Sequence, residues 1–163
     1  SLTQHSLNIH PAFLPYCRGK DPIVWALRYG YPAGVTLHEI TLGVDEGPIF
    51  YREQIDYKHP CTGGELYAKV TERSWQVFQE QWSVLRKGLG CIQPQDDLSD
   101  VHTFQRSDLL EDQRLDADSN LVIRETILRL LAHDFGSKYS AQVLLDGKLY
   151  MANICLTPVQ DND

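Results

Sequence analysis

Pro11 and Pro15 stand directly behind the short stretch Leu7–His10, and no other feature constrains the start of this chain as strongly. A proline has no backbone N–H and a fixed φ, so neither a regular helix nor a central strand can run through this segment. Leu7–His10 is therefore predicted as a short strand that ends in a loop. Asn8 and His10, alternate residues on that strand, project from one face. They can converge on one substrate atom at the strand's carboxyl end, where open α/β sheets form ligand crevices. A polar pair at a strand end also serves plain hydrogen bonding, and N-x-H alone does not choose between the two.

Asp21-Pro22 opens a predicted helix through Ile23, Val24, Ala26 and Leu27, with Asp as cap, Pro at the first helical position and Gly30 at the end. Val35, Leu37 and Ile40 then form a strand, Gly43–Pro48 must turn, and Ile49–Ile55 continues as a strand. If the first two strands are joined by a right-handed crossover, Asn8, His10 and Asp45 reach the same edge of a parallel sheet. An Asp in a Gly-bracketed turn is otherwise an ordinary turn former. Thr62 and Glu65 have capping-box spacing ahead of Leu66, Val70, Val77, Val84 and Leu85, which predicts the longest helix, running to Gly88. Trp25, Trp75 and Trp82 fall on predicted helices and read as core. From Gly88 to about Leu115 the texture turns to Gly, Pro, Gln and Asp, which divides the chain into 1–90 and 91–163. In the second part Ile123, Ile127, Leu130 and Leu131 share a helical face, and Asp146-Gly147 marks a hairpin between apolar runs.

Composition removes several function classes. Fifteen basic against twenty-two acidic residues give a formal charge of −7 with no basic cluster, so a nucleic-acid groove is not expected. Cys17, Cys61, Cys91 and Cys155 are too far apart for a metal-ligand array and read as reduced thiols. No apolar run is long enough to span a bilayer, and the opening lacks signal-peptide order. A soluble, cytoplasmic protein without a metal is expected.

Asn8-Ile9-His10-Pro11-Ala12-Phe13-Leu14-Pro15 with Arg18-Gly19, then Gly34-Val35-Thr36-Leu37-His38 and Gly43-Val44-Asp45-Glu46-Gly47-Pro48-Ile49, resemble in order two signatures of formyltetrahydrofolate-dependent formyltransferases. Pro94-Gln95-Asp96 and Thr103-Phe104-Gln105-Arg106 resemble elements that follow the catalytic domain in methionyl-tRNA and sugar formyltransferases, with Phe104 where Tyr is usual. The tail from Leu115 to Leu156 is similar to the extension of sugar N-formyltransferases. The resemblance implies an α/β fold: the second half of a doubly wound, Rossmann-like formyltransferase sheet plus a small C-terminal α+β appendage. Only seven residues precede Asn8, so the first half of that sheet is absent, and Ser1 in place of Met implies a start that was processed, replaced or cut.

The activity so implied is transfer of a formyl group from 10-formyltetrahydrofolate to a primary amine, such as that of a nucleotide-linked amino sugar. Asn8 would donate a hydrogen bond to the carbonyl oxygen as it becomes negative. His10, if cationic, would add a second donor, a state the neighbouring Asp45 charge would favour, and Asp45 could take the amine's proton through a water. Leu14, Val44 and Pro48 would line a pterin slot, with the backbone from Val44 through Glu46 to Gly47 reading the ring edge. Arg18 could hold an anion, and His38 reads as a packed structural histidine. Two alternatives remain: a truncated, inactive module that acts only in assembly, and a methionyl-tRNA formyltransferase-like enzyme, which the acidic tail disfavours. Strands Leu7–Ile9 and Val35–Ile40, deprived of neighbours, are expected to drive formation of a homodimer through the exposed sheet edge, the helix Glu65–Lys87, or both.

Overall fold

A computed structural model describes residues 6–87, 91–95 and 101–158. Strand β1 is Leu7–His10, and after the proline loop a two-residue strand β2, Arg18–Gly19, leads into helix α1, Pro22–Tyr29. Proline at the first turn and Gly30 in the left-handed region (φ 68°) bound α1 as anticipated. The Asp21 cap does not form: Asp21 is itself left-handed (φ 54°), and its side chain makes no capping hydrogen bond. Strands β3, Ala33–Glu39, and β4, Ile49–Ile55, flank the Gly43–Pro48 turn, and Ile40 falls outside β3.

The sheet order is β1-β3-β4, and both pairings are antiparallel, which overturns the parallel crossover. The proline loop, β2 and the eight-residue α1 return the chain to the end of the sheet at which β1 stopped, so β3 runs back along β1. The consequence for side chains is direct. Asn8 lies opposite His38 and His10 opposite Thr36, and since alternate residues share a face these four stand together. The other face carries Ile9, Val35 and Leu37, which join Leu66, Val70 and Val77 in the main apolar cluster. Those last three belong to α2, Gly63–Leu85, whose capping box forms as its sequence suggests, with Thr62 and Glu65 each accepting from the other's backbone N–H. Gly88, at the expected end, lies outside the described residues.

β3 has neighbours on both sides, so the expectation of an open edge at Val35–Ile40 fails; among the described residues it holds for β1 alone. Trp25 is core, 1% exposed, but Trp75 and Trp82 are 62% and 51% exposed, on the face of α2 turned away from the sheet. The stretch read as irregular supplies β5 (Thr103–Phe104), α3 (Arg106–Gln113) and β6 (Arg114–Asp116). β5 pairs in parallel with β2, and Phe104 stacks on Trp25 with ring centres 4.3 Å apart.

Helix α4, Ile123–Ala132, and the hairpin of β7, Ala141–Leu145, and β8, Lys148–Ala152, complete the chain. Asp146 and Gly147 both take positive φ at the hairpin tip, the conformation a two-residue turn requires. A buried ion cluster fastens this part to α1: Arg28 Nε meets Asp112 at 2.9 Å, and His133 Nε2 meets the same carboxylate at 2.9 Å. Gly64 N–H donates to Asp134 O at 2.7 Å, and a Cβ on Gly63 would collide with Ala132 O and the Phe135 ring. Among the described residues no helix is long and apolar enough to cross a membrane.

Candidate active site

The Gly43–Gly47 turn folds back over the polar face of β1 and β3, and Asp45 at its tip meets three side chains of that face. Asp45 Oδ2 is 3.6 Å from His10 Nδ1, while Oδ1 is 3.5 Å from both Asn8 Nδ2 and His38 Nε2. Asn8 Nδ2 also lies 3.2 Å from His38 Nε2. His38 Nδ1 is 2.9 Å from the carbonyl of Glu39, which can only accept, so a neutral His38 carries its proton on Nδ1 and offers the Nε2 lone pair to Asn8. The Asn8, His10 and Asp45 of the sequence reading thus come together, as expected, but through an antiparallel register.

His38 is the member the sequence reading undervalued. It is buried, as a packed histidine should be, yet it touches both Asn8 and Asp45. The available signal was the T-x-H spacing of Thr36 and His38 on one strand face, which acquires meaning only once β3 is laid antiparallel to β1. Gly19 was missed as well: its N–H donates to Asp45 Oδ2 at 2.9 Å. So was Gln95, whose Nε2 donates to Asp45 O at 2.7 Å and to Gly47 O at 2.8 Å. Asp96, the last residue of the Pro94-Gln95-Asp96 element, lies outside the described residues.

Electrostatics correct one expectation. Burial pushes the His10 imidazole below its ordinary value; the Asp45 charge and the Cys17 carbonyl pull the other way without overcoming it, so His10 is neutral, not cationic, near neutral pH. Half-burial would by itself raise the Asp45 carboxyl, but His38, His10 and the Gly19 N–H outweigh it, and the group lies below the usual carboxylate range. His10 Nε2 lies 3.2 Å from the Cys17 carbonyl, so the neutral ring keeps its proton there and turns the Nδ1 lone pair towards Asp45.

The remaining candidates are placed differently. Val44, 55% exposed, and Glu46 stand open to solvent at the turn, with Pro48 partly covered beside them. Gly47 is buried with its α-carbon pressed against the Glu39 carbonyl, so no side chain fits there. Leu14 is fully enclosed, its N–H on Thr36 Oγ1 and its carbonyl taken by Arg52; its side chain packs beneath the site and presents no surface to a ligand. Arg18 is held by Gln95 Oε1 at 2.7 and 3.1 Å. The cavity of ≈ 660 Å³ lined by Tyr31, Tyr57, His59 and Arg124 lies at the opposite end of β3 and β4 and touches none of the four clustered residues.

One face of the antiparallel sheet thus gathers an amide donor, a neutral imidazole and a carboxylate anchored by the Gly19 N–H. The formyl transferase family profile matches residues 1–81, and the chain belongs to the formyltransferase family. It is 31% identical over 116 residues to a methionyl-tRNA formyltransferase of Stenotrophomonas maltophilia, covering 69% of this chain and 38% of that protein. It is 33% identical over 82 residues to a dTDP-4-amino-4,6-dideoxyglucose formyltransferase of Mycobacterium bovis, covering 50% of this chain and 35% of the relative. The chain therefore spans little more than a third of the length of either. A 4-N formyltransferase of Francisella tularensis superposes with a TM-score of 0.86 at 21% identity, over 95% of this chain and 64% of that one, a likeness of fold. A formyltransferase of Anoxybacillus kamchatkensis, in complex with UDP-4,6-dideoxy-4-formamido-L-AltNAc and tetrahydrofolate, superposes with a TM-score of 0.60 at 25% identity, over 77% of this chain and 64% of the other.

Proposed function

We propose that this chain is the site-bearing part of a cytoplasmic enzyme that moves the formyl group of 10-formyltetrahydrofolate to a primary amine on a nucleotide-linked amino sugar. The observation that carries the reading is the meeting of Asn8, His10 and Asp45 on one face of the sheet. Bound folate would supply a formyl group already activated on nitrogen, and Val44, Glu46 and Pro48 at the turn offer the surface closest to the cluster for its ring. Asn8 Nδ2 donates to the formyl oxygen as it gains negative charge. The incoming amine sheds a proton, which the gap between His10 Nδ1 and Asp45 Oδ2 holds best, since the imidazolium so formed faces a carboxylate, and which would pass to the folate nitrogen as its bond to the formyl carbon breaks. The four unpaired cysteines agree with a reducing compartment.

The amino-sugar acceptor is favoured by the sugar-directed relative and by the Anoxybacillus complex. The methionyl-tRNA relative keeps a second acceptor in view, although a formal charge of −7 is ill suited to a polyanion. The test is a formyl-transfer assay on the intact enzyme with both acceptors. Amino-sugar formylation that His10→Ala and Asp45→Asn each abolish supports the reading; turnover with methionyl-tRNA alone, or variants of normal activity, overturns it.

A further inference from the structure

We propose that Gln95 is a positioning residue for this site: its carboxamide ties the Asp45 turn to Arg18 and thereby sets how the Asp45 carboxylate meets His10. The role in catalysis rests on the formyl-transfer reading above; the positioning itself does not. Both hydrogens of Gln95 Nε2 are used on carbonyls of the turn, those of Asp45 at 2.7 Å and Gly47 at 2.8 Å, while Oε1 accepts from Arg18 Nε at 3.1 Å and Nη2 at 2.7 Å. Of the common side chains, only a carboxamide offers two donors and an acceptor on one flat group of this reach.

The turn needs such a hold. Asp45 sits at φ 53°, a left-handed conformation that side chains disfavour, Asp less than most. Its carboxylate is gripped from the same direction by the N–H of Gly19, the residue next to Arg18. Gln95 and β2 therefore form one bracket around the turn, main chain on one side and side chain on the other. Gln95 is delivered to this place by Gln93, whose backbone exchanges hydrogen bonds of 2.6 and 2.8 Å with Ile49 at the start of β4. Residues outside the sheet thus reach the Asp45 turn.

The groups facing His10 are the Asp45 carboxylate, His38 and the Cys17 carbonyl. Asp45 is the larger of the two that raise the imidazole's affinity for a proton, the Cys17 carbonyl being the other, so a carboxylate that swings away must lower the His10 titration midpoint. Arg18, released from Gln95, would draw the carboxylate to itself and move the midpoint in the same direction. NMR titration of the ring protons in this chain reads this directly, without any turnover. In Gln95→Leu the His10 midpoint is expected to fall by about one unit, towards that of Asp45→Asn, at the low end of what an opposite charge at contact distance commands. Gln95→Leu added to Asp45→Asn should produce no further fall. A His10 midpoint unchanged in Gln95→Leu, or a full second shift in the double variant, overturns the proposal. Should Gln95→Leu fail to fold, Gln95→Asn withdraws the carboxamide by one methylene and is read the same way. An intact wild-type enzyme that transfers no formyl group would sink the functional reading separately, while the midpoints still decide whether Gln95 positions Asp45.

Discussion

His10 has an acceptor at each ring nitrogen, the Cys17 carbonyl at 3.2 Å and the Asp45 carboxylate at 3.6 Å, and a neutral ring can donate to only one of them. The ring is therefore poised to accept a proton at the Asp45 side, with burial as the opposing force. Because its folded value lies below the ordinary 6.5, the unfolded chain binds the proton first, and stability declines as pH falls from about 6.5 through the folded value. The acid limb of kcat/KM in the intact enzyme should accordingly lie below pH 6.5, where His10 becomes protonated and can no longer accept the amine's proton. A limb well above that value would contradict the assignment. Asn8→Ala should lower kcat by about 10²–10³-fold with the fold unchanged, the usual cost of one donor to a developing oxyanion. A loss of less than threefold would mean the oxygen is held elsewhere.

Between elements the decisive contacts are charged and buried. Arg28 of α1, Asp112 of α3 and His133 behind α4 meet where water is excluded, with Arg129 3.3 Å from the same carboxylate. Asp112→Ala takes away the carboxylate that Arg28, Arg129 and His133 share, so it should destabilise the protein by about 3–5 kcal/mol, measurable by urea unfolding. A cost below ~1 kcal/mol would show that water enters. Burial would raise the Asp112 carboxyl, but His133 and the two guanidiniums outweigh it and hold the group below its usual value. The stability it contributes is whole above the unfolded carboxylate value of about 3.9 and is lost as pH falls through the lower folded value. In Asp112→Asn this acid-limb loss should shrink. Unchanged acid sensitivity would place the titration in other carboxylates.

At the scale of the whole molecule, the surfaces without partners among the described residues include the outer edge of β1 and the face of α2 where Trp75, Phe78 and Trp82 lie against one another. An open strand edge and a row of aromatic rings with Trp75 and Trp82 exposed are surfaces another chain can cover. We propose that a second copy does so. Light scattering at low micromolar concentration should then return twice the 18.6 kDa chain mass, and Trp75→Glu with Trp82→Glu should return it to the single-chain value. A monomer in the wild type would show that the chain manages these surfaces alone.

Local rules were enough for much of this protein. The proline pair stopped β1 after His10, Gly30 ended α1, Thr62 and Glu65 started α2, and Asp146-Gly147 closed the last hairpin. Each of these depends on the conformational limits of one residue and its near neighbours, so each is readable along the chain. The order of Asn8, His10 and Asp45, with the resemblance it carries, was readable in the same way. Strand direction was not, because it depends on where α1 delivers the chain in space, and the antiparallel register that follows is what sets His38 opposite Asn8. Nor could sequence show that burial would outweigh the Asp45 charge at His10, that Leu14 would be enclosed, or that Trp75 and Trp82 would face outward. Gln95 lies fifty residues beyond Asp45, and only packing brings it to the turn. Desolvation and long-range contact are properties of the assembled fold, and they decided what the polar residues of the site can do.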